Sequence, residues 1–369
     1  MGVLRLLLAI SVVINHTEAI FGFRLVDAAI AVQAFYIISG FYMAMILNEK
    51  YYGKGSYKLF ITNRFLRLYP IYWTVLLGTI LACVVIVKTS GVGTLNLYSQ
   101  HYDSMNLSSF LFLIFTNIFM FFQDIVMFLG LDTTTGALFF TSNFWETSPM
   151  LNQFLFIPQA WTIGIELTFY LIAPLLVRRK TIHIIAFMFC SLLLRFVLVF
   201  GFNLTYDPWT YRFFPTELFF FLAGIIAYRL YKYFQRFQMK ENYLLIIWIG
   251  LLLFSFGFGF IPSKMMYSFS ARNWLYLLAF CMALPFVFAL TKKWKFDRYI
   301  GELSYPVYIA HLLIRWVFIK IDISTSLGGL GLTTTIATIV FAIVLNEVVQ
   351  KRVERIRQKR VIQSNRLNH

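Results

Sequence analysis

Ten long apolar runs follow one another along this 369-residue chain: 3–23, 26–47, 66–87, 161–177, 181–202, 213–230, 243–261, 273–291, 303–321 and 331–349. A helix needs about 20 mostly apolar residues to cross the hydrocarbon of a bilayer. The runs are too long and continuous for barrel strands, whereas a helix satisfies its own backbone in lipid. Composition agrees, with 60% of residues hydrophobic and 13% charged. A soluble domain has roughly a quarter of its residues charged, so this chain cannot cover a water-facing surface. The expected fold is all-α: a polytopic transmembrane helix bundle of about ten spans, one for each run, with the lipid bilayer as its main solvent. The run at 3–23 holds Arg5 and His16, and no small-residue cleavage pattern follows it. It is expected to be the first span and not a cleaved signal.

The net charge of +16 does not point to nucleic acid, because no folded basic domain carries it. The basic residues gather instead in five short segments. These hold Lys50 to Arg67, Arg178 to Lys180, Arg229 to Lys240, Lys292 to Arg298, and Lys351 to Arg360. Membrane proteins concentrate Lys and Arg in cytoplasmic loops, so all five segments, and both termini, are expected on the cytoplasmic side. Residues 1–350 read as one membrane-embedded domain, and 351–369 as a basic amphipathic tail on the cytoplasmic surface. Cys83, Cys190 and Cys281 lie singly in apolar runs, so neither a disulfide framework nor a metal site is expected.

Crossing parity raises a difficulty between the first two basic segments. Three apolar stretches lie between them, at 66–87, 107–131 and 161–177, where an even number of crossings is needed. The stretch 107–142 is interrupted by Asn117, Gln123, Asp124, Gly130 and Asp132. It is expected to be re-entrant, to lie on the surface, or to form a pair of short crossings. As irregular backbone at membrane depth, it is also a candidate wall of the active site.

Charges at the bilayer centre cost about 3 kcal/mol or more and mark functional residues. Arg5 and His16 share one face of the first run, roughly 16 Å apart along its axis. Arg5 near the cytoplasmic end reads as a snorkelling side chain or a ligand group. His16, in the outer half, reads as a hydrogen-bonded core histidine or a base. Glu166 lies at a similar expected depth, where it could orient His16 as that base, an arrangement that activates a hydroxyl. His311 reads equally as a structural histidine and as a substrate contact. Ser39-Gly40-Phe41 reads first as close helix packing. Arg212 and Glu217 flank the outer mouth of the run at 213–230. Arg64 and Arg67 are neighbours on one helical face, where paired guanidiniums can hold phosphate. The competing reading for both is the ordinary bias of basic residues toward the cytoplasm.

In order along the chain stand Arg5 with His16, Phe35 to Phe41, Arg64 to Pro70, Trp161 to Glu166 with Phe169-Tyr170, and Ser304 to His311. In these elements the chain resembles acyltransferase family 3, polytopic membrane O-acyltransferases of sugars and cell-surface glycans. The resemblance implies an enzyme, an O-acetyltransferase or close relative, in a bacterial plasma membrane. It implies acetyl-CoA or another acyl-CoA as the cytoplasmic donor and a polysaccharide or lipid-linked sugar as acceptor. It implies His16 and Glu166 as catalytic residues, with Arg5, Arg64 and Arg67 on the coenzyme. Ser39, Arg212, Tyr305 and His311 are the expected substrate contacts. Thr162 and Ile163 depart mildly from the family's usual Ser-Leu. The extracytoplasmic esterase-like domain of some members has no counterpart, so transfer is expected to finish in the membrane part or with a partner. Two other classes fit the topology. A polytopic lipid-sugar glycosyltransferase would use an acid in the first outer loop, Glu18 or Asp27. A transporter or flippase would show internal repeats, and none is evident.

Overall fold

The computed structural model describes residues 1–90, 93–237, 239–262, 269–322 and 329–367. The expected spans fall in helices α1 (Gly2–His16), α2 (Ala28–Glu49), α3 (Ser56–Ser90), α6 (Trp161–Val177), α7 (Thr181–Phe196), α8 (Phe214–Phe234), α9 (Glu241–Gly257), α10 (Ala271–Thr291), α11 (Lys295–Lys320) and α12 (Gly329–Leu345). Between α3 and α6 stand the shorter α4 (Thr94–His101) and α5 (Leu107–Phe119), and α13 (Lys351–Leu367) follows α12. Eight helical segments among the described residues are long and apolar enough to cross a membrane, not ten. The first run is cut short because its helix stops after 15 residues at His16, roughly 22 Å of rise. The chain then turns at Phe21 and Gly22, both at positive φ. The ninth run, 303–321, lies in a 26-residue helix, and Pro306, His311, Arg315 and Lys320 within it lower its apolarity below that of a plain lipid span.

The basic segments meet on one face of the bundle. Arg178 after α6 donates to the Tyr51 carbonyl after α2 at 3.3 Å. Arg229 near the end of α8 donates to Val177 and Thr181 at 3.1 and 2.7 Å. Tyr228 donates to Glu49 at 3.0 Å, and Lys292 after α10 donates to Tyr231 at 3.0 Å. Arg360 of α13 reaches Asn63 of α3 at 3.0 Å. Helices α2, α6, α8 and α10 therefore end on the same side, which is the alternation the charge pattern implies.

The parity difficulty resolves in the segment 107–142. Helix α5 has 13 residues, roughly 20 Å, well short of the ~30 Å hydrocarbon core. Its C-terminal carbonyls accept from the middle of α3: Phe119 from Tyr69, Asn117 from Tyr72, and Ile118 from Trp73. Met120 then adopts a left-handed conformation (φ +59°) and reverses the chain. A hairpin of β1 (Leu129–Leu131) and β2 (Leu138–Phe140) follows. Its turn returns to the start of α5, where the Gly136 carbonyl accepts from Asn106 at 3.0 Å and from Ser109 at 2.7 Å. The hairpin turn thus comes back to where the segment began, which is compatible with α3 and α6 as an even pair of crossings.

Glycine sets the closest approaches. A Cβ on Gly40 of α2 would lie 1.9 Å from the Phe221 carbonyl oxygen of α8. One on Gly224 would lie 2.0 Å from the Ile37 oxygen. The packing reading of Gly40 holds, because two backbones touch there with no room for a methyl group. Helix α1 is set on α11 in the same way through Gly2 and Gly301. The Asp297 carboxylate there accepts from the backbone N–H groups of Gly2 at 2.7 Å and Val3 at 2.9 Å, a favourable place for an anion at a helix N-terminus. Gly40→Ala and Gly224→Ala should each destabilise the bundle by about 1–3 kcal/mol through overpacking. A lowered thermal midpoint in detergent is the expected reading; an unchanged midpoint in both would contradict this packing.

Candidate active site

A cavity of about 950 Å³ opens between α1, α2, α3, α6, α11 and α13. Along α2 its lining runs from Lys50 to Val32, roughly 27 Å of helix. Among the described residues nine Lys and Arg side chains line it against four carboxylates. The cations stand where the helices begin or end on the basic face. The deeper lining is aromatic and hydroxylic, with Phe35, Tyr36, Thr162 and Tyr308.

Arg5, Arg64 and Arg67 all face this space, as do Ser39, Glu166 and Tyr305. Helix α3 begins before the apolar run does, so its first turns present Arg64 and Arg67 to the cavity. Arg64 is buried, with its guanidinium 5.9 Å from the centres of both the Phe60 and Tyr170 rings. Its Nε has no hydrogen-bond partner. Arg5 lies 5.9 Å from the Tyr42 ring. Glu166 accepts from Ser39 at 2.5 Å and from Tyr170, both onto the same carboxylate oxygen. Tyr305 is tied to the Leu68 carbonyl at 2.9 Å, next to Arg67.

His16 and His311 form a second group. His311 Nε2 lies 3.3 Å from His16 Nδ1, and the ring centres are 5.1 Å apart. His16 Nδ1 is also 2.9 Å from the Val12 carbonyl, and His311 Nδ1 is 2.6 Å from the Tyr308 carbonyl. Carbonyls only accept, so both Nδ1 atoms carry hydrogen. His311 Nε2 then accepts from His16, and His16 Nε2 keeps a free lone pair. His311 is fully buried, whereas His16, the last residue of α1, is exposed. The histidines lie one helical turn from Tyr308, whose ring is 6.0 Å from that of His311. Tyr308 is fixed by Thr162 at 2.9 Å and Gln159 at 3.1 Å, so it stands between the cavity and the pair.

Three expectations change here. Glu166 does not orient His16; its hydrogen bonds go to Ser39 and Tyr170, and His311 takes that place. Residues 107–142 do not line this cavity; they pack on α3 and α6 instead. Arg212 is outside the cavity, paired with Asp207 at 2.7 Å and stacked 4.4 Å over Trp161. It nonetheless lies close enough for its charge to act on His16, as does that of Arg315.

Some charged residues passed unnoticed in the sequence. Arg195 lies inside the run at 181–202 and pairs with buried Glu217 at 2.5 Å. Arg315 lies one turn beyond His311. The rule that intramembrane charges mark function would have flagged both. Arg357 of α13 is buried on the cavity wall, although its segment reads as a surface tail. The helix in fact continues from α12 through a π-helical turn at Asn346–Gln350 into α13. Residues 368–369 of that tail lie outside the described residues.

Removing the inner histidine tests the pairing. His311→Ala takes one of two acceptors from His16 Nδ1–H, leaving the Val12 carbonyl, and should lower any activity that depends on His16 by about tenfold or more, less than the ~10²–10⁴ of a whole acid–base group. A steady-state assay that finds unchanged kcat would contradict the pair.

The family model described as an acyltransferase domain, that of acyltransferase family 3, matches residues 1–347. An uncharacterized protein of Aquifex aeolicus (strain VF5) is 26% identical over 205 residues, which is 54% of this chain and 89% of that protein. No solved structure matches significantly. The ordered motifs, the all-helical bundle and the extent of that match agree: the chain belongs to acyltransferase family 3, the membrane acyltransferases.

Proposed function

We propose that this protein is an O-acetyltransferase, moving acetyl from acetyl-CoA to a hydroxyl of a polysaccharide or lipid-linked sugar across a bacterial plasma membrane. One observation carries the reading: a cation-lined cavity opens on the basic face, and a histidine with a free Nε2 is exposed beyond its deep end. Arg64 and Arg67 hold the coenzyme phosphates, as two guanidiniums on one helical face do well. The pantetheine arm runs inward past Arg5 and brings the thioester toward Tyr308. The acceptor arrives from the other face.

His16 Nε2 takes the proton of the acceptor hydroxyl as its oxygen bonds to the acyl carbon. The carbon–sulfur bond breaks, and the thiolate takes a proton in turn. The Val12 carbonyl accepts from Nδ1 and so fixes the tautomer that leaves Nε2 free, with His311 as the second acceptor. Arg212 and Arg315 supply positive charge where the oxyanion forms. A transient acyl group on His16 is the competing route, and acid-quenched labelled protein separates the two. Ser39 and Tyr305, with Glu166, shape the inner passage for substrate.

The glycosyltransferase reading loses its acids to other contacts. Asp27 pairs with Arg272 at 2.6 Å, and Glu18 accepts from the Leu330 backbone at 3.2 Å.

Purified protein incubated with radiolabelled acetyl-CoA should label a sugar acceptor. His16→Ala should lose at least ~10²-fold in rate, and full activity in that variant would sink the assignment. Arg64→Ala should raise KM for acetyl-CoA by about tenfold or more with little change in the acceptor KM. Equal effects on both constants would count against a phosphate role.

A further inference from the structure

The family match ends at residue 347, yet the donor cavity does not. Beyond it, α13 contributes Lys351, Glu354, Arg355 and Arg357 to the lining. Arg357 is 6% exposed, as is Arg64, and the Nε of each has no hydrogen-bond partner. A buried guanidinium with an open donor is costly unless an anion completes it. Arg357 also stands within the repulsive field of Arg64 and Arg67. Like charges gathered in a low-dielectric site need a shared counter-ion.

The anion now near them is Glu354, one turn before Arg357. It accepts from Arg357 and from Gln358, the latter at 3.1 Å. Helix α13 is not loosely laid on the bundle. Arg360 donates to Asn63 at 3.0 Å and to Thr62 at 2.8 Å, the two residues before Arg64. The same contact that holds α13 against α3 therefore sets Arg357 beside the arginine pair.

We propose that α13 is part of the donor site: Arg357 joins Arg64 and Arg67 in a three-guanidinium seat for the phosphates of acyl-CoA, and Glu354 is the internal anion those phosphates displace. This rests on the acyl-CoA reading of the cavity and adds to it a residue outside the matched family domain. Coenzyme A carries a diphosphate and a separate 3′-phosphate, so a third guanidinium has a group to bind. Glu354 competes for the seat, so its removal helps the ligand.

Titration of acetyl-CoA into the full chain in detergent, followed by calorimetry, tests this. Arg357→Gln should weaken binding by about tenfold or more, the usual cost of losing a hydrogen bond to a charged group. Glu354→Gln should bind at least as tightly as the parent. Arg357→Lys keeps the charge and loses the planar fork, so it should fall between the parent and Arg357→Gln. That variant also carries the test should Arg357→Gln not remain monodisperse. Unchanged affinity in both Arg357 variants would overturn the proposal while leaving the donor reading intact. A loss of affinity in Glu354→Gln equal to that of Arg357→Gln would also overturn it, since the pair would then serve only to hold α13 in place. A parent chain that binds no acetyl-CoA would remove the donor reading itself, and this seat with it.

Discussion

Charge inside a lipid-embedded bundle costs about 3 kcal/mol or more for each group, and this chain concentrates it around one space. Among the described residues nine cations and four carboxylates line the cavity. Buried charges of this kind persist where they pair or where a ligand completes them. Arg195 takes the first course, matched to Glu217 at 2.5 Å with Gln33 beside it. Arg64 has no ion pair among the described residues and lies instead against the Phe60 and Tyr170 rings.

Backbone contact makes that concentration of charge possible. Gly40 and Gly224 let α2 and α8 touch, and Gly2 and Gly301 do the same for α1 and α11. Helix α1 then carries Arg5 into the cavity wall and His16 out to its far end, one side chain for each half of the proposed reaction. Their spacing of roughly 16 Å is a property of a single rigid helix. Tyr308, held by Thr162 and the Gln159 carbonyl, lies between the two halves. In the proposed reaction the acyl group passes this ring to reach His16.

Much of the bundle was legible because lipid imposes a simple rule on sequence: long apolar runs are helices. The charge pattern pointed to the common face of the basic loops, and the interrupting polar residues marked 107–142 as irregular while leaving its path open. The length of α1 was not legible, because the apolar run continues through Ile20 to Phe23 after the helix has ended. The partner of His16 was not legible either. Depth along a helix can be counted, but the azimuth that turns His311 and not Glu166 toward His16 comes from helix packing. Arg357 escaped because a run such as Lys351-Arg352-Val353-Glu354-Arg355 looks like a solvated face. Its burial depends on α3 lying alongside, through the contact of Arg360 with Asn63.

The central claim is that donor and acceptor chemistry meet from opposite faces of one bundle. A structure of the protein in a lipid nanodisc with bound acetyl-CoA tests this most directly. The account predicts the phosphates among Arg64, Arg67 and Arg357, and the thioester carbonyl against Tyr308, pointing toward His16. Phosphates seated on the His16 side, or a coenzyme bound outside the cavity, would contradict it.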